Sequence, residues 1–397
     1  MNNYQTLPIV AFSSTWWDGV WMNRQQLLTR LALRGHPVVY SNGTVHYSEL
    51  GQVPLLPGHE RHDNLVIMRS GFWLPRTSLI SPLARLSMRL HLRHIRATLK
   101  PSSARPLIGM CFDPLLIDFI DMLAPALRVF HIYDAYNRME SGSDYFANLR
   151  ERIRGFDLVT ASSAQMYADV LGHAPDPRHV VPNGVDFALM SAAKDLPCAV
   201  ADRIRQLPAP RIGYTGSVNS KFHFNLVDAL ARARPDISIV IVGPVREAPL
   251  RKSPDGMAGY AALRRLPNVY FIDEIGREEV PAVLNAMDIN CLFVRVDRDD
   301  WVASTYPLKL HEYLAIGKPV ISTPITVVRE QFADVIDVCD SLDEWLLAID
   351  RNLVAEHNPD KVQARRAIAE HNDWSRSVAQ LEALLEEAAR DKLAGGG

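Results

Sequence analysis

The amino-acid sequence predicts an α/β protein: two Rossmann-like domains, each a doubly wound parallel sheet, facing each other across a cleft, with helices at the C-terminal end. Three observations lead there. The chain has 397 residues, enough for two cores of ordinary size, because domains run to about 150 residues each. Short apolar runs without polar alternation follow one another with helix-periodic segments between them, the pattern of parallel strands covered on both faces. That rhythm stops near residue 186 and starts again near 211.

In chain order, strands are predicted at 7–12, 37–40, 107–110, 129–133, 157–160 and 179–181, with a helix over 23–34. Residues 186–210 carry no strand pattern and end in Leu207-Pro208-Ala209-Pro210, where prolines can neither donate to a ladder nor sit in a helix interior. The linker is therefore placed at 188–209, between a first domain at 1–187 and a second at 210–375. The second series has strands at 211–216, 237–243, 268–272, 289–294, 319–322 and 335–338, and helices near 222–233, 278–287 and 307–316. The tail from 342 to 393 reads as helical with a break at Pro359; Leu381, Leu384, Leu385 and Ala388 line one side of a last helix at 376–397. Doubly wound sheets place ligands at the carboxyl ends of their strands, so the cleft is the expected site.

Composition removes other classes. With 43 Lys+Arg against 45 Asp+Glu the net charge is −2, which argues against nucleic acid as a partner. No apolar stretch is long enough to span a membrane, and the residues after Met1 have no basic and cleavable apolar block, so a cytoplasmic protein is expected. Cys111, Cys198, Cys291 and Cys339 lack zinc spacing and are expected to be reduced; no metal is expected.

The most informative segment is 304–323, S-T-Y-P-L-K-L-H-E-Y-L-A-I-G-K-P-V-I-S-T. Pro307 suits the first turn of a helix, and Ala315 and Gly317 let it end tightly. Lys309 and Glu312 stand three apart, on one face near the helix start. Amides and a lysine there suit a diphosphate, and a carboxylate suits ribose hydroxyls. Spacing alone also allows an ordinary surface ion pair.

P-L-K-L-x-E-Y-L-A-x-G-K-P-V-I-S-T resembles the donor-binding helix of GT-B fold nucleotide-sugar glycosyltransferases of the family-4-like E-x7-E group, such as those that build bacterial envelope polysaccharides and exopolysaccharides. Val181-Pro182-Asn183-Gly184-Val185-Asp186 is similar to the run that closes that family's first domain, and 210–217 to the first strand and glycine turn of its second. Residues 267–271 with 278–281, and Trp374-Ser375-Arg376, resemble two further family segments, the arginine standing one place early.

The resemblance implies a transferase that moves a sugar from a nucleoside-diphosphate donor to a hydroxyl acceptor, a lipid-linked glycan or polysaccharide precursor, with retained configuration. It also implies donor contacts from Gly19, Gly216, Lys221, Glu274, Ser304, Thr305, Pro307, Leu308, Lys309 and Glu312, with Asp134, Lys309 and Lys221 in the chemistry. Other readings stay open. One is an inverting transferase with Asp134 or Asp113 as base, and another is a degenerate partner that binds nucleotide or glycan. Asp134 also reads as a helix cap, Lys221 as a solvated loop lysine, and Trp16 and Trp17 as core filler.

The chain departs from the family pattern in three places. Ser304 stands where the first motif glutamate is expected, so the sugar contact must come from Ser304, Thr305 or backbone. Ser217 takes the place of a phosphate-binding arginine, leaving Lys221 one residue out of register. Asp273 replaces a glycine before the base slot at 273–275.

Charge is unevenly spread. From Leu65 to Phe112 there is no acid, while Arg69, Arg76, Arg85, Arg89, Arg93, Arg96, Lys100 and Arg105 are present. A helix predicted over 79–99 carries Arg85, Arg89, Arg93 and Arg96 at three- and four-residue steps, with Leu83, Leu86 and Leu90 on another face. Preceded by Phe72 and Trp73, it suits an anionic membrane surface; the alternative is a solvated face paired with acids elsewhere.

Overall fold

The computed structural model describes residues 6–19, 21–45, 51, 53–71, 82–99, 106–134, 136, 148–253, 255–296, 301–355 and 358–394. Phe72, Trp73, Arg76, Lys100, Arg105 and residues 79–81 lie outside them, as do residues 297–300 and 395–397. The chain divides into two compact units, Met1–Pro182 with Ser375–Gly397, and Asn183–Trp374.

In the first unit the elements run β1 (Ile9–Phe12), α1 (Asn23–Leu33), β2 (Val38–Ser41), β3 (Gly58–His62), β4 (Leu65–Arg69), α2 (Pro82–Leu99), β5 (Ile108–Cys111), α3 (Ile117–Leu123), β6 (Leu127–Ile132), α4 (Leu149–Arg154), β7 (Leu158–Ala161) and α5 (Ala164–Leu171). They build a sheet of order β3-β4-β2-β1-β5-β6-β7. All pairings are parallel except β3 with β4. Every residue of β1, β2, β5 and β7 is buried, which is why these strands read as apolar runs without alternation.

The β3–β4 hairpin was not foreseen. Strand β3 is the polar, mostly exposed G-H-E-R-H, and the turn before β4 relies on Asp63 at φ 51°, a conformation that Asp tolerates better than most residues. The strand expected at 179–181 reduces to a single bridge between Ala161 and Val180.

In the second unit α6 (Phe187–Ala193) and α7 (Ala199–Arg205) come first. They are followed by β8 (Arg211–Thr215), α8 (Phe224–Ala233), β9 (Ser238–Val242), α9 (Glu247–Lys252), α10 (Gly256–Leu263), β10 (Val269–Ile272), α11 (Val280–Asn285), β11 (Ile289–Leu292), α12 (Lys309–Ile316), β12 (Val320–Ser322), α13 (Thr326–Phe332), β13 (Asp337–Val338), α14 (Leu342–Ala355) and α15 (Pro359–His371). The sheet is wholly parallel, in the order β10-β9-β8-β11-β12-β13.

The linker expected at 188–209 is therefore corrected. That segment forms α6, capped by the Asp186 carboxylate on Leu189 N–H, and α7, capped by Cys198 Sγ on Ala201 N–H. Both bury apolar residues in the second unit, among them Met190, Ala201 and Ile204. The prolines lead into β8 and do not separate domains; the boundary falls earlier, after Pro182.

The last helix, α16 (Trp374–Ala394), belongs from Ser375 onward to the first unit. It buries Val378, Leu381 and Leu385. Glu382 meets Arg34 at 2.6 Å and His36 at 2.8 Å, and the Gln380 side-chain amide donates through Nε2 to the carbonyls of Arg178 and Val180 at 2.7 and 2.8 Å. Ser377 donates to the Pro182 carbonyl at 2.9 Å. The four cysteines are free and buried.

Candidate functional site

In the second unit, three strand ends are knitted together. Gly216 N–H donates to Val242 O at 2.8 Å and Gly243 N–H to Ile272 O at 2.9 Å. Both glycines have positive φ, 151° and 134°, where side chains are strained. A Cβ on Gly243 would stand 2.5 Å from the Gly216 carbonyl oxygen, and one on Gly216 would stand 2.0 Å from Lys309 Nζ. The backbone therefore requires glycine twice, and at Gly216 an added carbon would also displace the lysine.

Lys309 opens α12, and its ammonium lies 3.9 Å from the centroid of the Tyr214 ring. An aromatic face attracts a cation without neutralising it, so the charge stays available at the strand end. One turn on, the Tyr313 hydroxyl accepts from Thr215 N–H at 2.9 Å and donates to Thr215 O at 3.2 Å. This fixes α12 against β8. Upstream, Asn183 donates to the Tyr306 carbonyl at 2.9 Å, so a residue of the Val181–Asp186 run braces the approach to the helix.

Glu312 is half-buried. Burial pushes its carboxyl above the usual range, and the nearby charges of Lys309 and Arg277 partly offset this. Arg277 also reaches Asp186 at 3.5 Å. Glu312 and Lys309 thus share one electrostatic environment, as their spacing predicts.

Several expectations are modified. The helix starts at Lys309 with Leu308 as its cap residue, so Pro307 lies outside the first turn, its carbonyl accepting from Leu310 N–H at 3.2 Å. Thr305 spends its hydroxyl proton on Val302 O at 2.7 Å and keeps only lone pairs for a ligand. Ser304 ends the 3-10 turn Trp301–Ser304, but its side chain lies outside the described residues. Lys221 is half-buried in the loop after β8, and its carbonyl accepts from Arg295 N–H at 2.7 Å. Glu274 is exposed beyond β10, 3.9 Å from Arg246.

In the first unit, Gly19 is exposed and its N–H already donates to Trp16 O at 3.3 Å, so that amide is not free for a phosphate. Trp17 is buried with its ring 4.8 Å from that of Tyr40, which makes it core, as the filler reading has it. Asp134 follows β6 in a bend and is half-buried. Its charge and that of Asp113 add to burial in raising the phenols of Tyr133, to about 12, and of Tyr136. Asp113 is spent: one oxygen caps Leu115 N–H at 2.9 Å and the other takes the Ser14 hydroxyl.

Arg24 was missed. It sits in the first turn of α1, 2% exposed, with its guanidinium carbon 5.3 Å from the Tyr133 ring centroid and no partner for Nε. An arginine in a helical segment reads as surface, so nothing in the sequence singles it out.

On α2 the arginines divide. All four are exposed, but Arg96 also donates to the Leu123 carbonyl at 2.6 Å. Leu83, Leu86 and Leu90 are exposed as well, at 44%, 47% and 44%. Among the described residues no helix is long and apolar enough to cross a membrane, and no three His, Cys, Asp or Glu side chains converge on a metal-sized site.

Known proteins resemble this chain in sequence and in fold. Residues 209–355 match the family described as Glycosyl transferases group 1. TuaH of Bacillus subtilis (strain 168), provisionally named a teichuronic acid biosynthesis glycosyltransferase, is 27% identical over 231 residues, 56% of this chain and 55% of its own. The chain thus aligns with about half the length of that relative.

Solved structures extend the likeness along the whole chain. A UDP-forming trehalose-phosphate synthase from Burkholderia xenovorans superposes with a TM-score of 0.68 at 13% identity, covering 98% of this chain and 99% of its own. Sucrose-phosphate synthase from Thermosynechococcus elongatus gives 0.69 at 16%, covering 96% and 98%. HepE of Anabaena, in complex with UDP and glucose, gives 0.66 at 14%, covering 96% and 99%. The fold is GT-B, and the motif-based resemblance to GT-B glycosyltransferases holds.

Proposed function

We propose that this GT-B chain is a glycosyltransferase that moves a sugar from a nucleoside-diphosphate donor to a hydroxyl acceptor during polysaccharide synthesis. The observation that carries the reading is Lys309, held over Tyr214 and against Gly216 at the carboxyl end of β8. When the anomeric bond breaks, the departing diphosphate gains negative charge; the Lys309 ammonium and the first amides of α12 stabilise it, with Lys221 as a second cation. Glu312 takes the ribose hydroxyls.

A diphosphate that stays in place accepts the acceptor's proton as the new bond forms on the same face. Configuration is then retained without a separate base or a divalent cation, and Asp134 steadies positive charge on the sugar. Asp113, already committed to a cap and to Ser14, is the weaker base for an inverting route. The test is a thermal-shift screen of the full chain against UDP, GDP, dTDP and ADP, since a bound ligand raises apparent stability. A shift with one of them, lost in Lys309→Ala, is expected; no shift with any sinks the reading.

A second proposal concerns place. On α2, Leu83 and Leu86 and the row Arg85, Arg89, Arg93 are exposed side by side, as on a helix lying in an anionic bilayer surface. Three cations contribute about 1 kcal/mol each near such a surface. This supports a peripheral enzyme on the inner face of the cell membrane with a lipid-linked acceptor. Wild type should co-sediment with anionic but not neutral vesicles, and a triple Arg→Gln variant should not. Equal binding of both proteins would return α2 to a solvated face.

A further inference from the structure

The first unit holds a cavity of about 110 Å³ between α2 and the ends of β2 and β4. One water needs roughly 10–15 Å³, so there is room for several waters or for the edge of a sugar ring. Ser87, His91 and His94 enter from one face of α2, spaced four and three residues apart, while Thr44 and Ser70 enter from the strand ends. Leu90 and Pro57 supply an apolar wall.

The polar groups are unevenly satisfied. Ser70 gives its proton to the Gly43 carbonyl, and Ser41, which accepts Gly43 N–H at 3.0 Å, meets His91 Nε2 at 2.6 Å. These bonds fix the loop and the ring. The hydroxyls of Thr44 and Ser87 are buried and have no partner, a state that costs about 1–3 kcal/mol apiece unless something fills it.

The cavity is also uncharged. Its described lining contains no carboxylate, guanidinium or ammonium. Burial, helped by the neighbouring His94, lowers His91 to about 4, and burial together with His59 lowers His94. Both rings are therefore neutral at neutral pH. Idle hydroxyls and neutral imidazoles beside an aliphatic wall suit a ligand with hydroxyl groups on one side and C–H groups on the other. They set no positive charge opposite a phosphate or a carboxylate, whose burial there would go uncompensated.

We propose that this cavity binds a neutral sugar unit of the acceptor, held by Thr44, Ser87 and His94 with its C–H face on Leu90. The role as acceptor site rests on the glycosyltransferase reading; the ligand chemistry does not.

The experiment follows the histidine-ring NMR resonances of the full chain, assigned with His91→Gln and His94→Gln. Methyl glucoside, methyl N-acetylglucosaminide and methyl glucuronide are titrated separately, and UDP is titrated as a parallel reporter of the second unit. At least one neutral glycoside should shift both rings saturably, and the glucuronide should not. Ser87→Ala and Thr44→Val should each weaken that binding about fivefold or more while leaving UDP binding unchanged. Because neither hydroxyl bonds to any of the described residues, neither variant should melt lower than wild type.

The inference is overturned if no neutral glycoside saturates, if the glucuronide binds as well, or if both variants bind like wild type. A lower melting point in either variant means that buried water bonded to that hydroxyl is the occupant, and also overturns it. Nucleotide binding without glycoside binding removes the cavity and leaves the proposed function. Glycoside binding with no response to UDP, GDP, dTDP or ADP does the reverse.

Discussion

At the carboxyl end of the second sheet, glycines bring backbone close to a lysine that rests on an aromatic ring, whereas the corresponding end of the first sheet is closed by side chains. There Arg24 is buried under Tyr133, Asp113 is committed to a cap and to Ser14, and Ser41 holds His91. The first arrangement exposes amides and a cation, the needs of a diphosphate. The second pairs its charges off in packing and leaves, in the cavity beside α2, hydroxyls and neutral rings, the needs of an uncharged polar group. The difference teaches that two sheets of one architecture can be specialised by what fills the space after each strand: glycine for a charged, backbone-read ligand, and packed polar side chains for one read by shape.

The largest test of this contrast lies in the first unit. Asp134→Asn is expected to lower kcat by about 100-fold or more with nucleotide affinity nearly unchanged, because in the proposed reaction the carboxylate acts on the sugar and not on the diphosphate. Steady-state kinetics with the nucleotide identified by thermal shift reads it; full activity would return Asp134 to a capping role. In the second unit, Gly216→Ala should weaken nucleotide binding by about tenfold or more. The added carbon would need the space of Lys309 Nζ in a strained backbone conformation. Calorimetry decides it, and unchanged affinity would mean that the lysine and glycine turn do not form the cradle.

Glu312→Gln should cost about 1–3 kcal/mol of nucleotide binding, the penalty of leaving ribose hydroxyls poorly paired, without unfolding the protein. A folded mutant with wild-type Kd removes this residue from the site. The smallest effect concerns the hold of α16. Burial raises the Glu382 carboxyl, but Arg34 and His36 outweigh it and leave it below its ordinary 4.5. A lowered carboxylate stabilises the fold above its unfolded value, and this contribution is lost as pH falls through the lowered folded value. Wild type should therefore lose up to about 1 kcal/mol more than Glu382→Gln on acidification below pH 4.5, as thermal melts at pH 7 and pH 3.5 would show.

Both sheets could be read from the sequence because their buried strands need nothing polar, so each shows as an apolar run. The hairpin at Gly58–His62 could not, since its first strand is an exposed polar edge whose partner, not its composition, makes it a strand. Lys309, Gly216 and Glu312 were legible from the fixed order of residues around a strand end and a helix start. Arg24 and the Thr44–Ser87 cavity were not, because their meaning comes from packing between segments far apart in the chain. The segment 188–209 misled for a different reason: its prolines mark the entry to β8, while the helices before them lack a long apolar stripe and gain their burial from the second unit's core.

The two crossings between the units have a consequence for how the gene can be cut. Residues 183–374 begin and end side by side: Val185 N–H donates to Asn372 O and Trp374 N–H to Val185 O, each at 3.0 Å. On the other side of the crossing, Ser377 is bonded to Pro182. The second unit is thus a cassette inserted into the first, with both seams closed by hydrogen bonds. It is one continuous stretch, and the bond from Ser377 to the Pro182 carbonyl keeps the two ends of the remaining chain within reach of a short linker. The corresponding units of other GT-B chains could then be exchanged at the same two seams, with the resident α16 left on its own unit.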